Sequence, residues 1–190
     1  MNINQIYDEL SLRIDKNKMI LDAPMRDYTS FKAGGNAALL VQPANREELA
    51  FAVKTLSEKN VDHLVIGNGS NMLVKDTGYG GVVLRIGEAF QTIHINGDRM
   101  EAGAGVLLSA AAKEAAGESL TGFEFAAGIP GTIGGAVFMN AGAYDGEVSF
   151  IIEEAEVLSG DGTQINKLTK EELELSYRHS ILQKTGGILL

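Results

Sequence analysis

Two glycine-rich segments of the sequence have the residue types of a ligand-binding surface, and the first spans residues 67–71. Glycine permits positive φ angles and close approach of the backbone, and exposed backbone amides can hold a pyrophosphate. The dinucleotide fingerprint fails because its third glycine position is Met72, and no Gly-Lys pair supports a Walker-type loop. From spacing alone, a tight turn without a ligand explains the segment equally well. The candidate binding residues here are Gly67, Asn68, Gly69, Ser70 and Asn71.

The second segment, residues 126–136, repeats glycine at every third position and fixes one φ angle with Pro130. If residues 131–139 are helical, the glycines leave one surface without side chains, against which a flat ring or a diphosphate could lie. Glycine in a helix costs up to about 1 kcal/mol per residue relative to alanine. We therefore favour a ligand surface over close packing of a helix on a sheet. The candidate residues are Gly128, Ile129, Pro130, Gly131, Thr132, Gly134 and Gly135.

Two further segments carry side chains that could bind an anion. Residues 140–144 bring an amide and the phenol of Tyr144 next to the glycine run, and residues 176–180 place Tyr177 beside Arg178. An arginine can grip a carboxylate or a phosphate through two parallel hydrogen bonds. Taken singly, a half-buried tyrosine in a loop and a solvated surface arginine are the favoured explanations. The three histidines are scattered without the spacing of metal ligands, and no Gly-x-Ser-x-Gly elbow supports a hydrolase.

The elements that must position these segments begin with an α/β pattern. The spacing of apolar residues predicts an amphipathic helix over residues 3–14, followed by a loop over 24–36. A strand at 37–41 precedes a helix that starts with a capping-box pair, Asn45 and Glu48. A buried strand at 62–66 then completes a strand–helix–strand unit, which predicts a parallel pairing.

The second half of the chain is typical of antiparallel strands. Strands are predicted at 82–86 and 92–95, and Asn96-Gly97 indicates a type I′ hairpin leading into 100–104. The alanine-rich residues 107–116 predict a helix. Strands at 153–158 and 163–165 flank a second hairpin at Ser-Gly-Asp-Gly, a helix capped by Thr169 and Glu172 runs to about Leu175, and a strand begins at 186–190. We predict a small α/β lobe over residues 1–80 and a larger α+β lobe over 81–190.

Composition excludes several classes of function. With 16 Lys and Arg against 25 Asp and Glu, the formal charge of −9 argues against nucleic acid and anionic membranes as partners. The absence of cysteine excludes disulfides, thiolate metal sites and a thiol nucleophile. The start of the chain lacks the pattern of a signal peptide, and no run of 18 apolar residues indicates membrane insertion. We expect a cytoplasmic protein without a bound metal.

Four motifs, in their order along the chain, closely resemble the amino-terminal FAD-binding part of the family of bacterial UDP-N-acetylenolpyruvoylglucosamine reductases. They are Thr-Ser-Phe-Lys-Ala-Gly-Gly at 29–35, the segment at 67–74, the segment at 128–144 and Ser-Tyr-Arg-His-Ser at 176–180. The resemblance implies an α+β fold of the vanillyl-alcohol-oxidase type, with FAD held between the two lobes. It also implies the cofactor-binding residues proposed above in the two glycine-rich segments.

The resemblance further implies an oxidoreductase of peptidoglycan precursor synthesis, and thus of cell-wall biogenesis, cell shape and cell division. NADPH would reduce the flavin, and hydride and a proton would then pass to the enolpyruvyl group of a UDP-sugar. Arg178 matches the catalytic arginine of the family, and we place Tyr144, Tyr177 and Arg178 at the substrate. The serine proton donor and the glutamate of the family's carboxy-terminal substrate domain have no match, so we expect a truncated chain. Another FAD-linked oxidoreductase of this fold, or a flavin-binding module inactive on its own, remain the alternatives.

Overall fold

The computed structural model describes residues 2–190, which divide into two units. One unit extends to Ala89 and includes Asp161–Thr163, and the other comprises Phe90–Gly160 and Gln164–Leu190. The predicted boundary at residue 80 would divide a strand at Tyr79–Arg85 that lies wholly within the first unit.

The first unit is built around one four-stranded sheet. The strand order is β1-β2-β4-β3, with β1 antiparallel to β2, and with β4 parallel to both β2 and β3. The predicted parallel arrangement is confirmed, although β2 and β3 do not pair directly because β4 lies between them. Three-residue 3₁₀ turns occur at Lys16–Lys18, Met25–Asp27 and Glu88–Phe90. The regular elements are α1 (Ile3–Leu10), β1 (Met19–Pro24), β2 (Asn36–Val41), α2 (Arg46–Glu58), β3 (His63–Ile66) and β4 (Tyr79–Arg85).

Two predictions for the first unit need correction. Helix α1 ends at Leu10, although Ile14 still donates its backbone N–H to Leu10 O at 2.9 Å and stays buried. Strand β3 is not the buried strand that its apolar residues predicted, because Leu64 and Val65 are 39% and 38% exposed. The reason is its position as an outer strand of the sheet, whereas the central strand β4 buries Val82–Leu84.

Helix α2 begins where the capping-box pair predicted it. Asn45 Oδ1 accepts a hydrogen bond from Glu48 N at 2.8 Å, and Glu48 Oε2 accepts one from Ala44 N at 2.8 Å. These bonds occupy N–H groups at a helix start, where the first turn has no intrahelical acceptors. The predicted apolar face of the helix, including Leu49 and Leu56, is fully buried.

The second unit combines short helices with antiparallel strands, as the predicted α+β class requires. Its largest sheet has the order β10-β9-β11, and β5-β6 and β7-β8 form separate hairpins. None of the helices in residues 2–190 combines the length and apolar character of a membrane-spanning segment. The elements are β5 (Ile93–Asn96), β6 (Arg99–Ala102), α3 (Leu108–Gly117), α4 (Ile133–Phe138), β7 (Gly142–Ala143), β8 (Gly146–Glu147), β9 (Glu154–Leu158), β10 (Ile165–Thr169), α5 (Leu182–Thr185) and β11 (Ile188–Leu189), with 3₁₀ helices at Glu124–Gly128 and Val148–Phe150.

Local backbone geometry explains where the predictions for the two hairpins of this unit fail. The β5-β6 turn has Gly97 and Asp98 at its centre, and only Gly97 has a positive φ, which excludes type I′. Strand β10 starts two residues later than predicted. Asp161 Oδ1 accepts from the N–H and the hydroxyl of Thr163, and this local turn delays pairing with β9.

The capping box predicted at Thr169 forms without the helix that it should start. Thr169 N donates to Glu172 Oε2 at 2.8 Å, and Glu172 N donates to Thr169 Oγ1 at 3.3 Å. The chain completes a single turn, because Glu174 adopts a left-handed φ of 47° that a right-handed helix cannot continue.

The two capping boxes predict different energetic effects for the same kind of substitution. Asn45→Ala should lower the free energy of unfolding by about 1 kcal/mol, because the start of a 13-residue helix loses its acceptor. Thr169→Ala should cost less, because its partner closes only one turn. Urea unfolding followed by circular dichroism measures both losses of free energy, and equal losses would show that the effect of a cap does not depend on the length of the helix that it starts.

Candidate functional site

The glycine loop of the first unit closes against a neighbouring segment of backbone. Gly69 has a φ of 62°, and a Cβ atom there would lie 2.1 Å from Tyr28 O. Gly69 O accepts a hydrogen bond from Ser30 N at 3.2 Å, and Gly35 N donates to Lys75 O at 2.9 Å. The motifs at 29–35 and 67–74 therefore lie side by side, and their glycines permit this contact.

Beside this loop the first unit holds two buried polar atoms without a hydrogen-bond partner, Thr29 Oγ1 and Arg85 Nε. Thr29 packs against Gly69, and Arg85 pairs with Ile66, which directly precedes the loop. The Nη1 atom of Arg85 donates to Gln42 Oε1 at 3.0 Å. Buried polar groups in native proteins are almost always paired, and parallel strands bind ligands at their carboxyl ends. The cluster fits an anionic ligand group such as a phosphate. Of the predicted residues here, Asn68 and Asn71 are exposed, whereas Gly67 and Ser70 are half-buried.

The glycine run of the second unit forms a shorter helix than predicted. Helix α4 begins at Ile133, and Thr132 caps it by accepting a hydrogen bond from Gly135 N at 3.5 Å. Gly128 and Gly131 therefore precede the helix rather than lining it, because the capping threonine ends the extended segment that contains Pro130.

The glycines of this run divide into two kinds. Gly134 serves packing, since its N–H donates to Ala104 O at 2.9 Å and a Cβ atom would lie 3.0 Å from Ala104 Cβ. A Cβ atom on Gly128 would meet nothing within 4 Å, and one on Gly135 would meet only Thr132 Oγ1, at 3.8 Å. Packing within the chain therefore explains Gly134 but leaves Gly128 and Gly135 as open backbone, the kind of surface against which a flat ring can lie.

An open surface cavity of about 390 Å³ in the second unit brings together the three side chains predicted to meet a substrate. It lies where the β7-β8 hairpin faces the turn at 176–179. The predicted members are Tyr144, Tyr177 and Arg178. The remaining lining residues are Asn140, Gly142, Ala143, Asp145, Gly146, Glu147 and Phe150.

Both walls of the cavity are strained turns. Tyr144 and Asp145 connect β7 to β8 with φ angles of 49° and 62°, the pattern of a type I′ turn, which usually contains asparagine or glycine. In the facing turn, Ser176 and His179 exchange backbone hydrogen bonds at 3.1 and 3.0 Å, and Arg178 has a φ of 53°. Left-handed non-glycine residues cluster at binding sites, where the surrounding structure enforces them.

Hydrogen bonds to the end of α4 hold the arginine turn in place. Ser180 Oγ donates to Phe138 O at 2.8 Å, and Gln183 Nε2 donates to Phe138 O at 3.0 Å and to Arg178 O at 3.1 Å. The backbone carbonyl of Arg178 is thereby fixed relative to α4. Its guanidinium group stays exposed and lies 5.5 Å from the ring centroid of Tyr177.

Glu147 gives the cavity a negative charge opposite Arg178. The Ser149 hydroxyl donates to Glu147 Oε1. This hydrogen bond, a second one from Asn140 and the positive charge of Arg178 lower the pKa of the Glu147 carboxyl. The cavity thus offers a guanidinium and two exposed phenols to a ligand, with an ionised carboxylate beside them. Glu147 was missed because no motif contains it, whereas the amide of Asn140 was noted only for its place next to the glycine run and was not assigned a role.

Comparison with known proteins identifies relatives of the chain. A family model described as FAD binding domain matches residues 37–167. The chain is 45% identical over 184 residues to the UDP-N-acetylenolpyruvoylglucosamine reductase of Alkaliphilus oremlandii, covering 97% of this chain and 60% of the relative. The predicted resemblance to these reductases is confirmed, and the chain spans about 60% of the length of the curated relatives it matches.

Solved structures agree on the fold. The crystal structure of the UDP-N-acetylenolpyruvylglucosamine reductase from Thermus caldophilus superposes with a TM-score of 0.74 at 39% identity, over 90% of this chain and 58% of that one. 6-Hydroxy-D-nicotine oxidase from Arthrobacter nicotinovorans shares the fold at 22% identity, with a TM-score of 0.62 over 85% of this chain and 37% of its own. These matches confirm the predicted fold of the vanillyl-alcohol-oxidase type, and the chain belongs to the family of FAD binding domains.

Proposed function

We propose that this chain is the FAD-binding part of a cytoplasmic flavoprotein that uses NADPH to reduce UDP-N-acetylglucosamine enolpyruvate to UDP-N-acetylmuramate. The product is a peptidoglycan precursor, so the reaction would serve cell-wall growth, cell shape and cell division. The observation that carries the proposal is the single cavity shared by Tyr144, Tyr177 and Arg178. The reductases to which the chain is 43–46% identical support the choice of substrate.

The residues present fit FAD at two places. In the first unit, the loop at 67–71 would hold an anionic part of the cofactor, with Thr29 Oγ1 and Arg85 Nε as unpartnered donors. In the second unit, the open backbone at Gly128 and Gly135 would accept the cofactor without a clash from a side chain. When bound, FAD supplies the hydride chemistry that no amino-acid side chain can provide.

Arg178 would stabilise the charge that builds up during reduction. Addition of hydride to the enolpyruvyl double bond leaves electron density that spreads onto the substrate carboxylate. A guanidinium held in advance by its turn can meet that charge with two parallel hydrogen bonds. The phenols of Tyr144 and Tyr177, which are 92% and 87% exposed, are free to contact the rest of the substrate. We assign no residue of this chain as the donor of the proton that the other carbon of the enolpyruvyl double bond must receive.

FAD binding should depend on the open glycines rather than on glycine in general. Gly135→Gln places a long side chain on the open surface at the start of α4, so FAD affinity should fall by roughly tenfold or more. The melting temperature should not fall, because glutamine favours helix over glycine. Titration of FAD into the purified chain, followed by the flavin absorbance shift, measures the affinity.

Gly117→Gln is the matched control for this experiment. Gly117 also has open space at its Cβ position, but it is the last residue of α3 and lies outside the two glycine-rich segments of the sequence. Its substitution should leave FAD affinity unchanged. If wild-type chain that melts cooperatively ignores FAD at high micromolar concentration, the proposed cofactor is wrong. If both variants bind FAD as the wild type does, the cofactor does not use this surface.

The proposed role of Arg178 leads to a separate prediction about the reduction of the UDP-sugar. In the full-length gene product, Arg178→Lys should slow flavin reoxidation by the UDP-sugar by about 100- to 1,000-fold, the range for losing one preorganised donor. Lysine keeps the charge but lacks the planar fork, so FAD content should stay the same. Stopped-flow absorbance measures the rate.

The 190-residue chain serves as the second sample in that measurement. We expect it to hold FAD, but its flavin should be reoxidised far more slowly than in a protein that spans the whole length of the relatives, because no residue of 1–190 matches the proton donor of the family, which is worth about 100- to 10,000-fold. Full-rate turnover by the chain alone would show that residues 1–190 already contain the whole catalytic apparatus. Unchanged rates in Arg178→Lys would remove the arginine from the mechanism.

A further inference from the structure

One buried amide connects the two walls of the cavity. Asn140 is 1% exposed, and its Nδ2 donates to Ser176 O at 3.1 Å while its Oδ1 accepts from Ser149 N at 2.9 Å. Ser176 begins the turn that carries Tyr177 and Arg178. Ser149 lies just after β8, and its hydroxyl binds the Glu147 carboxylate. A single side chain therefore fixes the position of one wall relative to the other.

We propose that Asn140 is a positioning residue that holds the turn bearing Arg178 against the β7-β8 hairpin and so presents the guanidinium to the ligand. That the ligand is the enolpyruvyl UDP-sugar rests on the proposed function. The proposal that Asn140 orders the turn does not rest on the proposed function, because the two hydrogen bonds of the Asn140 side chain are its evidence.

The chemistry of the site requires an amide at this position. Ser176 O needs a donor and Ser149 N needs an acceptor, and asparagine supplies one of each from the same planar group. Aspartate would turn an acceptor toward the Ser176 carbonyl, and alanine would supply neither partner. Asparagine also tolerates the left-handed backbone, with a φ of 41°, better than most residues do.

Ordering of the turn can be measured without any substrate. Asn140→Gly removes the amide while keeping a residue that accepts a positive φ. In ¹⁵N relaxation experiments on the purified chain, the backbone order parameters of Tyr177 and Arg178 should fall from about 0.85 to below about 0.6. Asn166, exposed on β10 outside the cavity, provides the control, and Asn166→Gly should leave both amides unchanged.

Asn140→Asp provides a test within one folded protein. At pH 8 the buried carboxylate cannot donate to Ser176 O, so the turn should be mobile. Burial and the Glu147 carboxylate, to which Asn140 otherwise donates, both favour the neutral carboxyl and raise its pKa, so protonation toward about pH 5 should restore the donor and the ordered turn. The wild-type turn should show no such change over the same pH range, although Asp145, Glu147, Arg178 and His179 are the ionisable groups of the surrounding segments.

Substrate binding separates this inference from the proposed function. In the full-length gene product, Asn140→Gly should raise the Kd for UDP-N-acetylglucosamine enolpyruvate roughly tenfold, with FAD content unchanged. If wild type does not bind this UDP-sugar but the turn loosens in both Asn140 variants, the proposed substrate is wrong and the positioning role stands. If the turn stays ordered in Asn140→Gly and in Asn140→Asp at pH 8, the positioning role is wrong, whatever the substrate.

Discussion

Backbone segments that approach one another too closely for a side chain are the constraint on which both units depend. In the first unit, a Cβ atom on Gly69 or Gly34 would lie within 2.5 Å of a backbone oxygen, so the glycine loop can form only with glycine at these places. In the second unit, a Cβ atom on Gly142 would lie 2.7 Å from Gly146 O, so glycine at this place allows the β7-β8 hairpin to close. Each of these contacts shapes a segment that we assign to ligand binding. Some glycines therefore allow the backbone contacts that form the sites, and others leave open space within them.

This constraint separates two uses of glycine that look alike along the chain. Gly134 and Gly135 are neighbours, yet one packs against Ala104 and the other faces open space. Gly135 lies in a helix and has open space at its Cβ position, so it lowers helix stability relative to alanine without making room for a neighbouring group of the chain. A bound group that occupies this space is the most direct explanation for the glycine. FAD, the ligand of the family to which the chain belongs, is such a group.

The cavity of the second unit follows a different principle, in which buried polar groups organise exposed charged ones. Asn140 and Ser180 are both buried and both hydrogen-bonded to backbone carbonyls. They hold the turn of Arg178, whose guanidinium reaches solvent. Fixing the backbone while leaving the charged end accessible lets the arginine meet an anionic ligand at a low cost in conformational entropy. Glu147, held ionised by its hydrogen bonds, balances that positive charge.

Local chemistry in the sequence was enough to predict the start of α2, most of α3, the α+β class and, through four ordered motifs, the flavin-binding family. Each of these depends on residues close together along the chain, such as Asn45 and Glu48. Tertiary structure alone decided that β4 separates β2 from β3, that β3 is only partly buried, and that Thr169 caps a turn instead of a helix. It also decided which glycines are open, and it joined Asn140 to Ser176, 36 residues away. Pairing between residues so distant in the chain is set by how the whole unit packs, so no local pattern of residues could have revealed it.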